Sequence, residues 1–271
     1  MARNVDISVI VTTYERPEHL HRSLLSLSLQ RGMRYPMELV VADDGSTDRT
    51  AEVADRFARS APFPVKFVTQ EHDGFRAARV RNNGVRAAAG RYLVFVDGDC
   101  VVPPDYLKQH LRARRPGWAW SGDSYRLDEA TSHRVDDEAI MSGSFVRLVP
   151  RDQRRRLWRR WLKDRFYVAI RHPLTPRLIG CNVGLWRDDL DRVNGFDEAY
   201  VGWGCEDDDL GQRLRRAGVR IGSILGYTTS CHLWHPIDPS QPTTWGEGAN
   251  TDLLLSEVRP VRCKFGLQRS A

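Results

Sequence analysis

Arg91-Tyr-Leu-Val-Phe-Val-Asp-Gly-Asp99 is the stretch that decides the fold. Its apolar run reads as a strand buried on both faces, and it ends abruptly in two carboxylates separated by one glycine. Upstream, residues 76 to 89 have helical spacing and stop at Gly90, and Val65-Lys-Phe-Val-Thr69 reads as a strand. Met37-Glu-Leu-Val-Val-Ala42 is another strand, running into Asp43-Asp-Gly-Ser-Thr47, where Gly45 supports a turn and Ser46 or Thr47 can cap the next helix. A helix begins near Pro17, with Leu20, Leu24 and Leu27 on one face, and Ile7-Ser-Val-Ile-Val-Thr12 is the first strand. Strands alternating with helices predict an α/β fold with a mainly parallel, Rossmann-like sheet whose ligands gather at the carboxyl ends of the strands. Asp43, Asp44, Asp97 and Asp99 all fall at such ends.

Downstream the regular alternation fades after about residue 115. Residues 118 to 145 are mixed, 178 to 186 read as a strand, 187 to 193 as a helix, 207 to 217 as a helix stopped by Gly218, and 221 to 230 as a strand. The last thirty or so residues are rich in Pro, Thr and Gly and are expected to wrap the surface. Between helix and strand signals lies Val201-Gly-Trp-Gly-Cys-Glu-Asp-Asp-Asp-Leu210. Four adjacent carboxylates repel one another unless a cation, or a reaction that needs a base, uses them. A solvated helix start would also favour acids, but Gly-Trp-Gly before them indicates a tight loop of close approach. Two acidic sites in an α/β chain suggest metal-assisted transfer from a nucleotide-activated donor, with strand-end carboxylates as hard oxygen ligands for Mg²⁺ or Mn²⁺.

Composition sets the remaining bounds. The chain has 271 residues, of which 41% are hydrophobic, enough for a real core. No run is long enough to span a bilayer and no signal-peptide pattern opens the chain, so a cytoplasmic protein is expected. Five scattered cysteines, none in a C-x-x-C pair, are expected to be reduced thiols. Trp118 and Trp120 are expected in the core, and His19, His21, His110 and His133 on surface faces. The net charge of +6 is concentrated: ten Arg and Lys stand between Arg147 and Arg171 against Asp152 and Asp164. As a helix this segment carries Leu157, Trp158, Trp161, Leu162, Phe166 and Ala169 at intervals near three and four. Two readings stay open: peripheral binding to an anionic surface on the inner face of the membrane, or a helix packed on the sheet with a solvated basic face. A specific nucleic-acid partner is not expected, because no reading motif accompanies the charge.

The chain resembles the family 2 glycosyltransferases of the GT-A fold, through Val9-Ile-Val-Thr-Thr-Tyr14, Asp43-Asp-Gly-Ser-Thr-Asp48, Gly74-Phe-Arg76 with Arg81-Asn82, and Asp97-Gly-Asp99. Asn194-Gly-Phe-Asp197, Gly202-Trp-Gly-Cys-Glu-Asp-Asp-Asp-Leu210 and Arg213-Leu214 are similar to the C-terminal half of the β-1,4-galactosyltransferases and of chondroitin-polymerase-type bacterial enzymes. The resemblance implies that Thr12, Tyr14 and Asp44 hold uracil and ribose, that Arg76 sits near the base or phosphates, and that Asp97 and Asp99 serve ribose and metal. It places the catalytic base on Asp207, sugar hydroxyls on Glu206 and Asp208, and a stacking wall on Trp203. His232 and His235, at i, i+3 behind the acidic motif, match metal-contacting positions, with His235 preferred. Residues 1–115 would then be the nucleotide-sugar half, 116–236 the acceptor and catalytic half of one GT-A domain, and 237–271 a C-terminal surface tail. The implied activity is inverting, Mn²⁺- or Mg²⁺-dependent transfer of a hexose or N-acetylhexosamine from a UDP-sugar donor to a saccharide or lipid-linked acceptor, in surface polysaccharide or lipopolysaccharide synthesis. A catalytically silent sugar- or nucleotide-binding module is the alternative, against which Asp97, Asp99 and Asp207 count. The chain lacks a Gln-x-x-Arg-Trp segment, so a processive membrane synthase is not expected.

Overall fold

The computed structural model describes residues 5–236, 249–256 and 260–268. Ten strands are β1 (Ile7–Thr13), β2 (Met37–Asp43), β3 (Val65–Thr69), β4 (Tyr92–Asp97), β5 (Cys100–Val101), β6 (Trp118–Ser121), β7 (Ser124–Arg126), β8 (Asn182–Trp186), β9 (Arg220–Ser223) and β10 (Ser230–His232). In the first half lie helices α1 (Pro17–Ser28), α2 (Thr50–Ser60), α3 (Ala77–Ala87) and α4 (Tyr106–Ala113). The second half carries α5 (Glu129–His133), α6 (Asp137–Ser142), α7 (Phe145–Leu148), α8 (Arg151–Ala169), α9 (Arg187–Arg192), α10 (Glu206–Arg216) and α11 (Ala249–Ser256).

The large sheet has the order β3-β2-β1-β4-β8-β6-β9. β3, β2, β1 and β4 are parallel, as the βα alternation predicts, whereas β8 runs antiparallel to both its neighbours. Two buried layers flank the sheet, because the central strands point apolar residues to both faces. Ile7, Val9 and Val11 meet α1 through Leu20, Leu24 and Leu27, while Ile10 and Phe95 meet Leu210, Leu214 and Phe196 on the other side. A small sheet, β5-β10-β7, sits over a third cluster of Val101, Phe145, Val149 and Leu233.

Several sequence expectations shift here. Neither Ser46 nor Thr47 caps a helix: α2 starts at Thr50, and the Ser46 hydroxyl instead donates to Asp43, which also accepts the amides of Gly45 and Ser46. The apparent strand 221–230 is broken by a 3-10 turn at Ile224–Gly226, so its two ends belong to different sheets. His110 is buried and bonded to Asn182, and His19 reaches the Trp234 carbonyl in the cleft, so neither is a plain surface residue. Trp118 and Trp120 stack on each other at 5.5 Å, and all five cysteines are free thiols.

The basic segment begins its long helix at Arg151 because Pro150 breaks the turn before it. Its expected single apolar stripe is divided. Leu157 is buried and the Trp161 ring packs on Gly226, but Trp158, Leu162 and Phe166 are 58%, 41% and 61% exposed. Charge explains the rotation: Arg156 and Arg160 turn inward to Asp123 at 3.0 and 2.8 Å, and the inward Asp164 accepts from Ser223. The proposed tail 237–271 lies partly outside the described residues. Its described parts are α11 and 260–268, where Cys263 is buried against Asn194.

Candidate active site

The carboxyl ends of β1, β2 and β4 open onto a cleft of about 1300 Å³ that is lined also by the start of α10, α8, the small sheet and α11. Parallel register sets Thr12 of β1 beside Asp97 of β4, and the Thr12 hydroxyl donates to Asp97 at 2.8 Å. Thr12 therefore orients the first aspartate of the pair. Tyr14 stacks on His72 with 4.3 Å between ring centres, and Asp44 accepts Gln70 Nε2 at 2.6 Å and the Arg76 amide at 3.1 Å. Burial raises the Asp44 pKa against those donors. The guanidinium of Arg76 is turned back onto Asp73, so its backbone amide, not its side chain, meets Asp44.

Asp99, the second aspartate, faces two imidazoles. His232 Nε2 lies 3.5 Å from one carboxylate oxygen and His235 Nε2 3.2 Å from the other, and the three donor atoms fall within 4.8 Å of one another. β10 delivers His232 by pairing with β5, which follows Asp99 directly. Burial pushes the Asp99 pKa up, but His232, His235 and Arg16 outweigh it and hold it well below the usual range. The hydrogen bond to Asp99 raises the His235 pKa against burial. One carboxylate and two imidazoles converging on a common point fit a divalent cation such as Mn²⁺.

The acidic motif opens α10, and its four carboxylates have four different fates. Asp209 is buried in an ion pair with Arg213 at 2.7 Å, and Asp208 is gripped by the Arg177 guanidinium through Nε, at 2.7 Å, and Nη2. Glu206 is buried and accepts Arg81 Nη1 at 2.9 Å. Asp207 accepts Arg81 Nη1 at 3.3 Å on one oxygen and the Gly180 amide at 2.7 Å on the other, yet its side chain keeps 21% exposure to the cleft. Burial, reinforced by Glu206 and Asp97 and opposed by Arg81 and the Gly180 amide, pushes its pKa up to about 8. A carboxyl poised near neutrality in a cleft is suited to proton transfer.

Arg81 joins these groups. It is buried, reaches Asp97 Oδ1 at 3.4 Å as well as Glu206 and Asp207, and keeps a raised pKa because those carboxylates overcome the cost of burial. Sequence reading assigned it no role beyond its place beside Asn82 in a motif. Its signal was a lone Arg on the apolar-facing side of α3, where a charge requires partners. Gly180 is equally required: a Cβ there would lie 2.5 Å from Arg81 Nη2 and 2.8 Å from Asp207 Oδ1.

Trp203 lines the same cleft on a loop with left-handed backbone at Gly202, Gly204 and the non-glycine Cys205, φ 72°. Asn250 of α11 fastens that loop, its amide reaching the carbonyls of Gly202, Trp203 and Gly204 at 3.4, 3.3 and 3.0 Å. Thr12, Tyr14, Asp44, Asp97, Asp99, Trp203, Glu206, Asp207, Asp208, His232 and His235 thus share one cleft, and Arg76 adjoins it through its backbone.

Comparison with known proteins identifies the family. A model described as glycosyl transferase family 2 matches residues 8–193, and one described as the N-terminal domain of galactosyltransferase matches 168–235. Validoxylamine A glucosyltransferase of Streptomyces hygroscopicus subsp. jinggangensis is 31% identical over 94% of this chain, and Escherichia coli chondroitin synthase is 27% identical over 81%. The chain spans 60% and 34% of those proteins. Among solved structures, S. aureus TarS with UDP-GlcNAc aligns with TM-score 0.61 at 19% identity, over 87% of this chain and 60% of that one. The mannosyltransferase PcManGT from Pyrobaculum calidifontis, in complex with GDP-Man and Mn²⁺, aligns at 0.57 and 22%, over 82% of this chain and 55% of that one. Both likenesses extend to the GT-A fold. The chain belongs to glycosyl transferase family 2, and its residues 168–235 are in addition similar to the galactosyltransferase domain.

Proposed function

We propose that the chain is an inverting, metal-dependent glycosyltransferase. It moves a hexose or N-acetylhexosamine from a UDP-sugar to a hydroxyl of a saccharide or lipid-linked acceptor in surface polysaccharide or lipopolysaccharide synthesis. The observation that carries this reading is the setting of Asp207, a carboxyl with a raised pKa, exposed to the same cleft as the Asp99–His232–His235 trio. The TarS complex with UDP-GlcNAc and the PcManGT complex with Mn²⁺ support the donor and metal classes.

In this reading Tyr14 and Asp44 receive the nucleoside, and Asp97, fixed by Thr12 and Arg81, receives the ribose. Asp99, His232 and His235 would hold Mn²⁺ or Mg²⁺, which when bound supplies a Lewis acid to the departing diphosphate. Asp207 takes the proton of the acceptor hydroxyl as that oxygen attacks the anomeric carbon opposite the leaving group, which gives a β linkage. Trp203 offers an apolar wall to sugar C–H faces, and Glu206 and Asp208 retain lone pairs for hydroxyls. The outer face of α8, with Trp158, Leu162 and Phe166 among basic residues, suits an anionic membrane surface. Among the described residues no helix is long and apolar enough to cross a membrane.

The test is transfer from a panel of UDP-sugars to a membrane extract, with products read by mass spectrometry and NMR. A β-linked product that disappears with EDTA and returns with Mn²⁺ is expected. An α-linked product, EDTA-insensitive transfer, or UDP-sugar binding without turnover would each overturn the reading.

A further inference from the structure

The cleft is electrostatically two-sided. Its floor carries Asp97, Asp99, Glu206 and Asp207, which are met by Arg81, Arg16 and the two histidines. Its wall of β7 and α8 carries Arg126, Arg159 and Lys163. Most cations near that wall have partners: Arg156 and Arg160 pair with Asp123, and Arg177 pairs with Asp208. Among the described residues, Arg126, Arg159 and Lys163 have no carboxylate within ion-pairing distance. All three are exposed and line the same cleft from two elements, β7 and α8. Arg126 is the last residue of β7, in parallel register with His232 of β10, so it adjoins the candidate metal trio. Arg159 and Lys163 lie one turn apart on α8, which is anchored to β7 by the Arg156 guanidinium on the Ser124 carbonyl and by the Arg126 amide on Gln153. Like charges gathered on one wall of a concave site repel one another and raise the local potential, which favours an anion between them.

We infer that the acceptor carries an anionic group, a phosphate or a carboxylate, seated against Arg126, Arg159 and Lys163. The inference rests on the transferase reading above. The donor diphosphate does not account for Arg159 and Lys163, because it belongs at Asp99, where Arg16 stands 3.8 Å away and Arg126 adjoins through His232. A planar guanidinium fork matches either oxyanion, and two elements converging on one group would fix the acceptor's register relative to Asp207. A phosphate would come from a lipid-linked acceptor and a carboxylate from a uronic acid in the glycan.

The experiment measures binding to the full chain with saturating UDP and Mn²⁺. One arm compares a glucuronic acid-containing tetrasaccharide with its methyl ester, and the other compares farnesyl phosphate with farnesol. At low salt at least one anionic probe should bind about tenfold more tightly than its neutral twin, and the preference should shrink as salt screens it. Whichever arm responds identifies the source. Replacing the two α8 residues together, Arg159→Gln and Lys163→Gln, should cut the preference to about twofold or less while UDP affinity stays within about twofold, since both are exposed and lie on a different element from the residues given to the nucleotide. Equal binding of charged and neutral twins in both arms, or no binding of either anionic probe, would overturn the inference and leave the transferase reading standing. A double variant that loses UDP affinity and keeps the anionic preference would assign the wall to the donor. Failure of the parent chain to bind UDP with Mn²⁺ would remove the transferase reading itself.

Discussion

The strand-end side of the cleft, which the proposed function gives to the donor, and the α10 side, which it gives to catalysis, are held by different forces. On the donor side Asp43 ties its own turn, accepting the Gly45 and Ser46 amides and the Thr69 hydroxyl, so the loop beside Asp44 is fixed by short, mostly local hydrogen bonds. On the catalytic side the start of α10 depends on Arg81, a buried cation from α3 that bridges Glu206 across 125 residues and also reaches Asp207 and Asp97. Local hydrogen bonds are individually modest and replaceable, whereas a buried charge that loses its counterion is left without solvent or partner. The two sides should therefore respond very differently to single substitutions.

The largest difference should come from Arg81→Met set against Gln70→Ala. Arg81→Met strands buried carboxylates and should cost about 3 to 5 kcal/mol in urea unfolding. Gln70→Ala removes one hydrogen bond to Asp44 and should cost about 1 kcal/mol. Equal losses would show that charge does not organise the catalytic side.

Next in size is Asp207→Asn, which keeps the shape of the side chain and removes its basicity. Turnover should fall at least about a hundredfold with UDP affinity intact. In the parent enzyme kcat/KM should rise with pH towards a plateau above about 8, where Asp207 is deprotonated. Stability carries the opposite sign. A carboxyl whose folded pKa lies above its ordinary 3.8 contributes stability that is fully present below that value and is lost as pH rises through about 8. Asparagine stays neutral throughout, so the variant should be at least as stable as the parent at pH 8. A variant less stable there, or one with near-normal turnover, would refute the assignment.

The contrast also explains what the sequence could reveal. The four parallel strands and the aspartates at their ends were legible because apolar runs, turns and carboxylates follow one another within a few residues, as in Tyr92 to Asp99. The acidic motif was legible as a site, but the separate fates of Glu206, Asp207, Asp208 and Asp209 were not. Those fates depend on Arg81, Gly180, Arg177 and Arg213, three of which reach α10 from other parts of the chain. The division of α8 was illegible for the same reason, since Asp123 lies on another element and draws Arg156 and Arg160 inward. The two histidines were placed only through resemblance. Nothing local to His235 indicates that β10 turns it onto Asp99.

That trio supplies the third test. Asp99→Ala and His235→Ala should each weaken Mn²⁺-dependent UDP binding at least about tenfold, while affinity measured in EDTA matches the parent. Parent UDP affinity that is the same in EDTA and in Mn²⁺ would remove the metal from the donor side. A smaller effect is expected at Asn250→Ala, which frees the three carbonyls of the Trp203 loop. Acceptor KM should rise up to about tenfold with kcat largely kept, the size of one hydrogen bond. A fall in kcat alone would mean that the loop acts on the chemistry and not on acceptor binding.

The smallest expected effect lies on α8, where packing and exposure meet on a single helix. Trp161 rests on Gly226, and its replacement by Ser should lower the melting temperature, because a packed aromatic is lost from the seam with the 3-10 turn. Trp158, 58% exposed on the outer face with Leu162 and Phe166, makes no such seam, so Trp158→Ser should leave stability within about 0.5 kcal/mol. Its effect should appear instead in sedimentation with anionic liposomes, where partial insertion of one indole contributes about 1 kcal/mol. Arg155→Gln should remove a similar amount, and added salt should weaken binding further. Equal recovery of the parent in the supernatant with neutral and anionic liposomes at low salt would leave α8 as a packed helix with a solvated outer face. A Trp158→Ser variant that unfolds early would show that this face is covered in the folded protein.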